Sequence, residues 1–443
     1  MGNLSTPSGV KKLQEALHAK AKAEPEYRFY ALYDKLYRAD VLEHAYRRCR
    51  ANKGAPGVDG QTFDDVQEYG EQKWLGELAQ TLRERKYEPQ AIRRVYIPKP
   101  GGKLRPLGIS CLRDRVCMMA AVLILESIFE ADLPPQQYGY RRGKGAHEAI
   151  SEVVEGLKGG YTEVVDADLE QYFDSIPHLE LMKSVARRVA DKHVLGLIKS
   201  WLTCAVDEID ERGRKTRTTT NKDQGRGIPQ GSPLSPLLAN LYMRRFIKGW
   251  HQGRESGQMD ARVVTYADDL VIMCRQGQAA GALQAMRRLM GRLRLKVNED
   301  KTRVCDVRFE HFDFLGYSFG RYHSHRTGGV YQGCRPSKKS IRSVVEKLRD
   351  LTDRRLVWRD VDETVGRLNR TIRGWGNYFS LGTTSGAYRA VEAYYTQRLR
   401  RWLLKKHKMR RDGRLAYSYE HLFETLGLEQ LSSRKSKLPW AKA

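Results

Sequence analysis

Between residues 91 and 320 the chain switches repeatedly between two hydrophobic periods. "AIRRVYIP" (91–98), "TEVVDADL" (162–169), "RVVTYADDLVIMC" (262–274) and "FDFLGYSFG" (312–320) are short and rich in β-branched or aromatic residues, and predict strands. "RVCMMAAVLILESIFEA" (115–131) and "ALQAMRRLMGRL" (282–293) predict helices. The alternation implies an α+β or α/β core. Upstream, "LQEALHAKAKA" and "EYRFYALYDKLYRADVLEHAYRRC" carry apolar positions at helical spacing, and "NKGAPGVDG" (52–60) marks a loop. After about residue 335 the strand signals fade. "SIRSVVEKLRDL" sets Ile341, Val344, Val345, Leu348 and Leu351 on one helical face, and the next basic helix repeats this with Val391, Tyr395, Leu399 and Trp402.

Charge narrows the partner. The 443 residues hold 79 Lys+Arg against 53 Asp+Glu, a formal net charge of +26. Residues 321–443 alone hold 28 Lys+Arg and 11 Asp+Glu, so +17 of the excess lies in the helical last part. An excess of this size implies a polyanion, either nucleic acid or an acidic membrane surface. Its spread along the chain favours nucleic acid. The seven cysteines (49, 111, 117, 204, 274, 305 and 334) are scattered without a C-x-x-C pair and read as reduced structural thiols. No apolar run approaches ~18 residues, so no membrane span is expected. No secretory signal is visible, and Gly2 and Thr6 in "MGNLST" match the loose myristoylation pattern by chance.

The candidate chemistry lies in "VVTYADDLVIMC", where Asp268 and Asp269 interrupt two buried-strand runs. Adjacent carboxylates at a buried turn repel each other, and a divalent cation relieves that repulsion. A second acid-bearing strand, "EVVDADLEQYFDSIP", brings Asp166 and Asp168, which strand alternation puts on one face. Carboxylates from two adjacent strands can hold two Mg²⁺ ions about 4 Å apart for phosphoryl transfer. Ala267 occupies a turn position where glycine would relax the backbone, so strain is expected there.

These residues carry a family resemblance. "YADD" (266–269) resembles the Y-x-D-D box of reverse transcriptases, and "DADLEQYFD" (166–174) their first catalytic-aspartate motif. "GRGIPQGSPLSPLLANLYM" (225–243) is similar to the segment beneath the incoming nucleotide, "VYIPKPGGKLRPLGI" (95–109) to the fingers motif, and "HFDFLGYSFG" (311–320) to the last palm motif. "LNRTIRGWGNYFSLG" (368–382), the basic helix after it and the "LPWAKA" ending resemble the maturase region of group II intron-encoded proteins. The resemblance implies a right-hand α+β polymerase. Residues 1–60 would be an N-terminal helical extension and 61–320 fingers and palm with an antiparallel palm sheet. Residues 321–385 would be an all-α thumb/maturase domain, and 386–443 a basic nucleic-acid-binding region.

The implied enzyme is an RNA-directed DNA polymerase that also binds its intron RNA to promote splicing and mobility. Asp168, Asp268 and Asp269 map onto the catalytic metal ligands, with the Leu169 carbonyl a further oxygen and Asp166 a structural or assisting acid. The ions would be two Mg²⁺, with Mn²⁺ a possible substitute. Lys99 and Arg105, with Lys103 as helper, match positions that meet the dNTP triphosphate. Phe173 matches the aromatic against the sugar, selecting dNTP over rNTP, unless it is simply core and Tyr172 takes that place. Gln230 would touch the nucleotide, with Gly231 permitting close approach, and Lys301 would act near the phosphates. Arg398, Arg400, Arg401, Lys405, Lys406, Lys408 and Arg410 would grip nucleic-acid backbone. Trp375, Tyr378 and Phe379 could stack on bases, but their spacing is equally that of a helix core, the favoured reading.

"GYRRGKG" (139–145) lacks the spacing of a phosphate loop. His323, His325 and Cys334 lack a fourth ligand for zinc. No paired-cysteine endonuclease motif is present, so no second-strand cleavage is expected. The expected partners are intron RNA, an RNA template with DNA primer or target DNA, and dNTPs, in a bacterial cytoplasm close to the nucleoid, with the oligomeric state open. Two alternatives remain: a free-standing relative used in repair or phage defence, and an RNA-binding splicing factor without polymerase activity.

Overall fold

The computed structural model describes residues 4–98, 104–209, 213–255, 260–323, 328–410 and 416–434. Gly2, Lys99, Lys103, His325 and the "LPWAKA" ending lie outside the described residues. The strands are β1 (Ile92–Pro98), β2 (Leu104–Ile109), β3 (Glu163–Ala167), β4 (Val206–Ile209), β5 (Lys215–Thr218) and β6 (Ala261–Tyr266). They continue with β7 (Asp269–Cys274), β8 (Arg303–Asp306), β9 (Phe312–Phe314), β10 (Tyr317–His323) and β11 (Val330–Pro336). Three sheets result, ordered β2-β1-β4-β5, β6-β7-β3-β8 and β11-β10-β9. Among the strands of the described residues β1 and β4 pair in parallel, and the other ladders are antiparallel.

The β6-β7-β3-β8 sheet is covered on both faces, which is why β3 and β7 read as near-continuous apolar runs. Val165, Ala167, Val263, Leu270 and Ile272 point into one core, shared with the helices Leu112–Glu130, Ser235–Glu255 and Ala279–Arg292. Val164, Val264, Val271, Met273 and Cys305 point into a second, shared with the Ala146–Lys158 helix and β9–β11. The Leu112–Glu130 helix is apolar all round, as suits a helix wrapped by others. The N-terminal helices Ser8–Ala23 and Ala39–Ala51 pack directly on it, and their buried Val10, Leu17, Val41 and Tyr46 belong to the first core.

The last part is helical. Helices Lys338–Leu351, Val361–Tyr378 and Ser385–Lys406 enclose a third core of Val344, Leu348, Leu368, Ile372, Val391, Tyr395, Leu399 and Trp402. Ser337 and Asp360 cap two of these helices by accepting from backbone N–H groups in the first turn. Trp375 touches both the second and the third core, and Phe379 and Leu381 lie in the second. The helical part is therefore joined to the sheet by shared apolar burial. Among the described residues, no helix is long and apolar enough to cross a membrane.

Candidate active site

β6 and β7 form a hairpin whose last pair is Tyr266 and Asp269, so Ala267 and Asp268 are the two turn residues. Ala267 has φ +58°, the left-handed conformation that two-residue hairpins ask of Asn or Gly. The strain expected there is present. What holds it is a segment that the hydrophobic pattern does not mark as a strand. Thr265 N donates to Gln136 O at 3.0 Å, and Tyr138 N donates to Thr265 O at 2.9 Å, so residues 136–138 run parallel to β6 through one isolated bridge. Gly139 then lies flat on the turn: a Cβ there would stand 2.4 Å from Ala267 N. Two buried side-chain bonds fix this segment in turn, Asn240 Nδ2 to Gly139 O (2.8 Å) and Gln137 Nε2 to Asn240 O (2.9 Å).

β3 delivers the other acid. Its last pair with β7 is Ala167 with Leu270, so one further step along the ladder sets Asp168 opposite Asp269. The "VNEDKT" loop folds around Asp168: Lys301 Nζ lies 2.9 Å and Asn298 Nδ2 3.2 Å from its Oδ2, while Asn298 N donates to the Asp168 carbonyl at 2.8 Å. Burial, followed by the charges of Asp268, Asp168 and Asp166, pushes the Asp269 carboxyl up to about 6, with Lys301 pulling the other way. Asp269 is reached by solvent yet crowded by protein, as befits the floor of a cleft. Asp166 sits 3.4 Å from Arg303 Nε; burial raises its pKa and Arg303 opposes the rise.

The charges of Asp268 and Asp168 both act on Asp269, but among the described residues no three His, Cys, Asp or Glu side chains already converge at metal-holding spacing. The donor chemistry nevertheless fits a hard divalent cation, since carboxylates and a backbone carbonyl are the oxygen ligands Mg²⁺ and Mn²⁺ take.

The residues predicted to meet the nucleotide are tied together. Gly108 N, on the strand that carries Arg105, donates to Gln230 O at 2.6 Å, and Ile228 N donates to Phe173 O at 2.8 Å. Gln230 Nε2 also donates to Asp174 at 3.2 Å. Gly231 has φ +105°, and a Cβ there would stand 2.5 Å from Gly108 O, so its bareness serves the protein's own backbone. Phe173 is half-buried against the first core, its ring 5.7 Å from Tyr172. Arg105 is exposed, and Arg105, Asp268 and Asp269 all influence the Tyr140 hydroxyl, whose pKa is raised chiefly by burial. Tyr140, following the Gly139 that lies on the turn, therefore stands beside the acids, and "GYRRGKG", rejected as a phosphate loop, supplies both residues. A glycine beside aromatic residues was the available signal.

The seven basic residues predicted to grip nucleic acid, five in the Ser385–Lys406 helix and two just beyond it, divide in two. Arg398 bonds Thr352 Oγ1 and the carbonyls of Arg349 and Thr352; Arg400 bonds Tyr417 O; Lys406 bonds the carbonyls of Val357 and Arg359. Arg401, Lys405, Lys408 and Arg410 are exposed. Arg401 and Lys405 border an open pocket with Arg354.

Facing acids on neighbouring antiparallel strands, an exposed arginine on a strand tied to the Gln230 segment and a basic helical module describe a polymerase that handles nucleic acid. The chain belongs to the reverse transcriptase (RNA-dependent DNA polymerase) family, whose model matches residues 97–319. Residues 341–418 match the group II intron maturase-specific domain. Membership makes the protein a divalent-metal-dependent, RNA-directed DNA polymerase joined to a maturase-specific domain. It is 32% identical over 357 residues to protein YkfC of Escherichia coli, covering 71% of this chain and 89% of that one. It is 33% identical over 221 residues to the group II intron-encoded protein LtrA of Lactococcus lactis, covering 50% of this chain but only 35% of LtrA. Nuclear intron maturase 2 of Arabidopsis thaliana matches at 32% over 117 residues, 26% of this chain and 16% of its own length.

Proposed function

We propose that the protein copies RNA into DNA at Asp168, Asp268 and Asp269 and binds group II intron RNA to promote splicing and mobility. The observation that carries this reading is the ladder that sets Asp168 opposite Asp269 with Asp268 at the adjoining turn. Asp168, Asp268 and Asp269, with the Leu169 carbonyl, would hold two Mg²⁺ ions, or Mn²⁺ in their place. Such ions, when bound, neutralise charge on the attacking and leaving oxygens. The carboxylates orient the primer 3′-hydroxyl toward the α-phosphate of the dNTP, and pyrophosphate leaves; positioning supplies most of the acceleration. Arg105 and Lys99 meet the triphosphate, Gln230 touches the nucleotide, and Phe173 stands where a ribose 2′-hydroxyl would clash. Lys301, already paired with Asp168, would be displaced toward the phosphates by a cation at the same oxygen. Arg401, Lys405, Lys408 and Arg410 offer their charges to RNA or DNA backbone.

On this reading residues 61–320 act as fingers and palm, 321–385 as thumb/maturase and 386–443 as a basic extension, with the first 60 residues as a helical extension. The test is incorporation of dNTPs and rNTPs on an RNA template with Mg²⁺. Asp268→Asn should lower synthesis by roughly 10³-fold or more, since metal ligation of the transition state is worth several kcal/mol, while RNA binding persists. Phe173→Ala should admit rNTPs. Undiminished synthesis by Asp268→Asn would sink the assignment; unchanged sugar selectivity in Phe173→Ala would move the gate elsewhere.

A further inference from the structure

Tyr378 ends the Val361–Tyr378 helix, inside the region matched by the maturase-specific domain, yet it lies against the polymerase half of the molecule. Its hydroxyl donates to Leu315 O at 2.9 Å, at the tip of the β9–β10 turn, where Leu315 and Gly316 both have positive φ. Its own carbonyl accepts from the Tyr317 hydroxyl and from His147 Nε2, each at 2.6 Å. The residue is thus held at its hydroxyl and at its backbone carbonyl, with the His147 ring 5.7 Å away. The neighbouring aromatics turn inward: Tyr317 is 0% and Phe379 7% exposed, whereas Tyr378 keeps 36% of its surface open. Burial, followed by Tyr266 and Asp269, pushes its hydroxyl up to about 12. Tyr378 therefore stays neutral at physiological pH and stands within electrostatic reach of the acid-bearing hairpin.

We propose that the open face of Tyr378 packs against the terminal nucleotide of the growing DNA strand, so that a residue of the maturase half helps place the 3′-hydroxyl. This rests on the reading that Asp168, Asp268 and Asp269 are where that hydroxyl reacts. A reacting 3′-oxygen comes within about 3–3.5 Å of its target, so the sugar and base behind it must lie beside the hairpin. Tyr266 of the hairpin, Leu315 of the β9–β10 turn and Phe379 beside Tyr378 all pack into the second core, which keeps Tyr378 close to that place. A flat neutral ring stacks on any base without reading sequence, as a copying enzyme requires, and does not repel the phosphodiester. Because Phe379 shares the second core while Trp375 reaches the third, movement of the helical module on binding RNA would shift this ring directly.

The full chain, bound to an RNA template and a DNA primer with no nucleotide added, provides the test. A primer ending in 5-iodouracil should photo-crosslink to Tyr378, located by mass spectrometry in the unsubstituted protein. With 2-aminopurine as the terminal base, Tyr378→Ala and Tyr378→Leu should change its fluorescence and Tyr378→Phe should not; the same probe five positions upstream should be silent in all. KM for primer–template should rise about tenfold in the Ala and Leu variants, the loss expected for one base–aromatic stack, and kcat should fall as well, because a 3′-hydroxyl held less firmly reaches its target less often. A crosslink confined to other residues, or a Leu variant that melts normally with an unaltered terminal signal, would show that Tyr378 only locks the joint. If Asp268→Asn abolishes synthesis and no crosslink reaches Tyr378, the present proposal alone falls; full synthesis by Asp268→Asn overturns the underlying site.

Discussion

Ala267 keeps its left-handed backbone because Gly139 leaves room for it. The conformation costs about 1 kcal/mol for a residue with a Cβ, and the clamp made by Gln136, Tyr138 and Asn240 offsets it. Gly139→Ala should therefore lower stability by about 1–3 kcal/mol, as overpacking against backbone does. It should reduce nucleotide incorporation more than tenfold, because relief of the clash must move the turn that carries Asp268. Incorporation and melting both at the unsubstituted level would mean that the turn does not depend on this support. A second buried carboxyl lies in the first turn of the Leu112–Glu130 helix. Asp114 is 3% exposed, accepts from the Tyr87 hydroxyl at 2.6 Å and from Gln90 N at 3.1 Å, and burial pushes it up to about 6. Its pKa is raised in the folded state, so the folded state holds the proton more tightly than the unfolded chain, whose carboxyl titrates near 3.8. Stability from this group is greatest below the unfolded value, falls as pH climbs between the two, and is lower by about 3 kcal/mol above pH 6. Denaturant titrations from pH 4 to 7 should show the unsubstituted protein losing that amount relative to Asp114→Asn. Parallel pH curves for the two would remove the assignment.

The helix Ser385–Lys406 shows how far a periodic pattern carries at the scale of an element. Its apolar stripe of Val391, Tyr395, Leu399 and Trp402 was legible, and those residues are buried. The use of its charges was not, because a guanidinium on a long stem can reach sideways to carbonyls that sequence spacing does not reveal. Arg398 illustrates this by bridging back to the end of the Lys338–Leu351 helix. Arg398→Ala should consequently lower stability by about 1–2 kcal/mol, losing charged hydrogen bonds to the buried Thr352, and should barely alter the salt dependence of RNA binding. Alanine at Arg401, Lys405, Lys408 and Arg410 should do the reverse, weakening binding to all sequences and reducing the slope of log K against log salt by about one for each phosphate no longer neutralised. Equal salt slopes for the two sets would contradict this division. The Tyr378 ring has the same lesson in it: its spacing from Trp375 and Phe379 fits a core, and only packing shows which of the three faces outward.

For the whole molecule, periodicity names a buried face but not the partner that buries it. The strand alternation of β3 and β7 and the acids at their ends were readable, and so was the helical character of the last part. The first 51 residues read as helical, yet nothing in their spacing told that they share a core with residues up to 295. The structure makes that dependence concrete. Val10, Leu17 and Ala21 pack into the first core, Gln14 Nε2 donates to Leu123 O at 2.7 Å, and the Tyr33 hydroxyl donates to Leu82 O at 2.8 Å. Arg188, 0% exposed, places its guanidinium against the carbonyls of Ala21, Glu24, Pro25 and Tyr27. Removing residues 1–51 would uncover the largely apolar Leu112–Glu130 helix and take from Arg188 the carbonyls that hold it, leaving Asp132 as its ion partner. That helix packs against the Ser235–Glu255 helix, which supplies Asn240 to the clamp, so the damage should reach the catalytic turn. The truncated chain should be aggregation-prone and inactive, with the cooperative melting transition lost by circular dichroism. A soluble fragment from residue 52 onward, melting cooperatively and copying RNA at the full-length rate, would show that the N-terminal helices are an appendage after all.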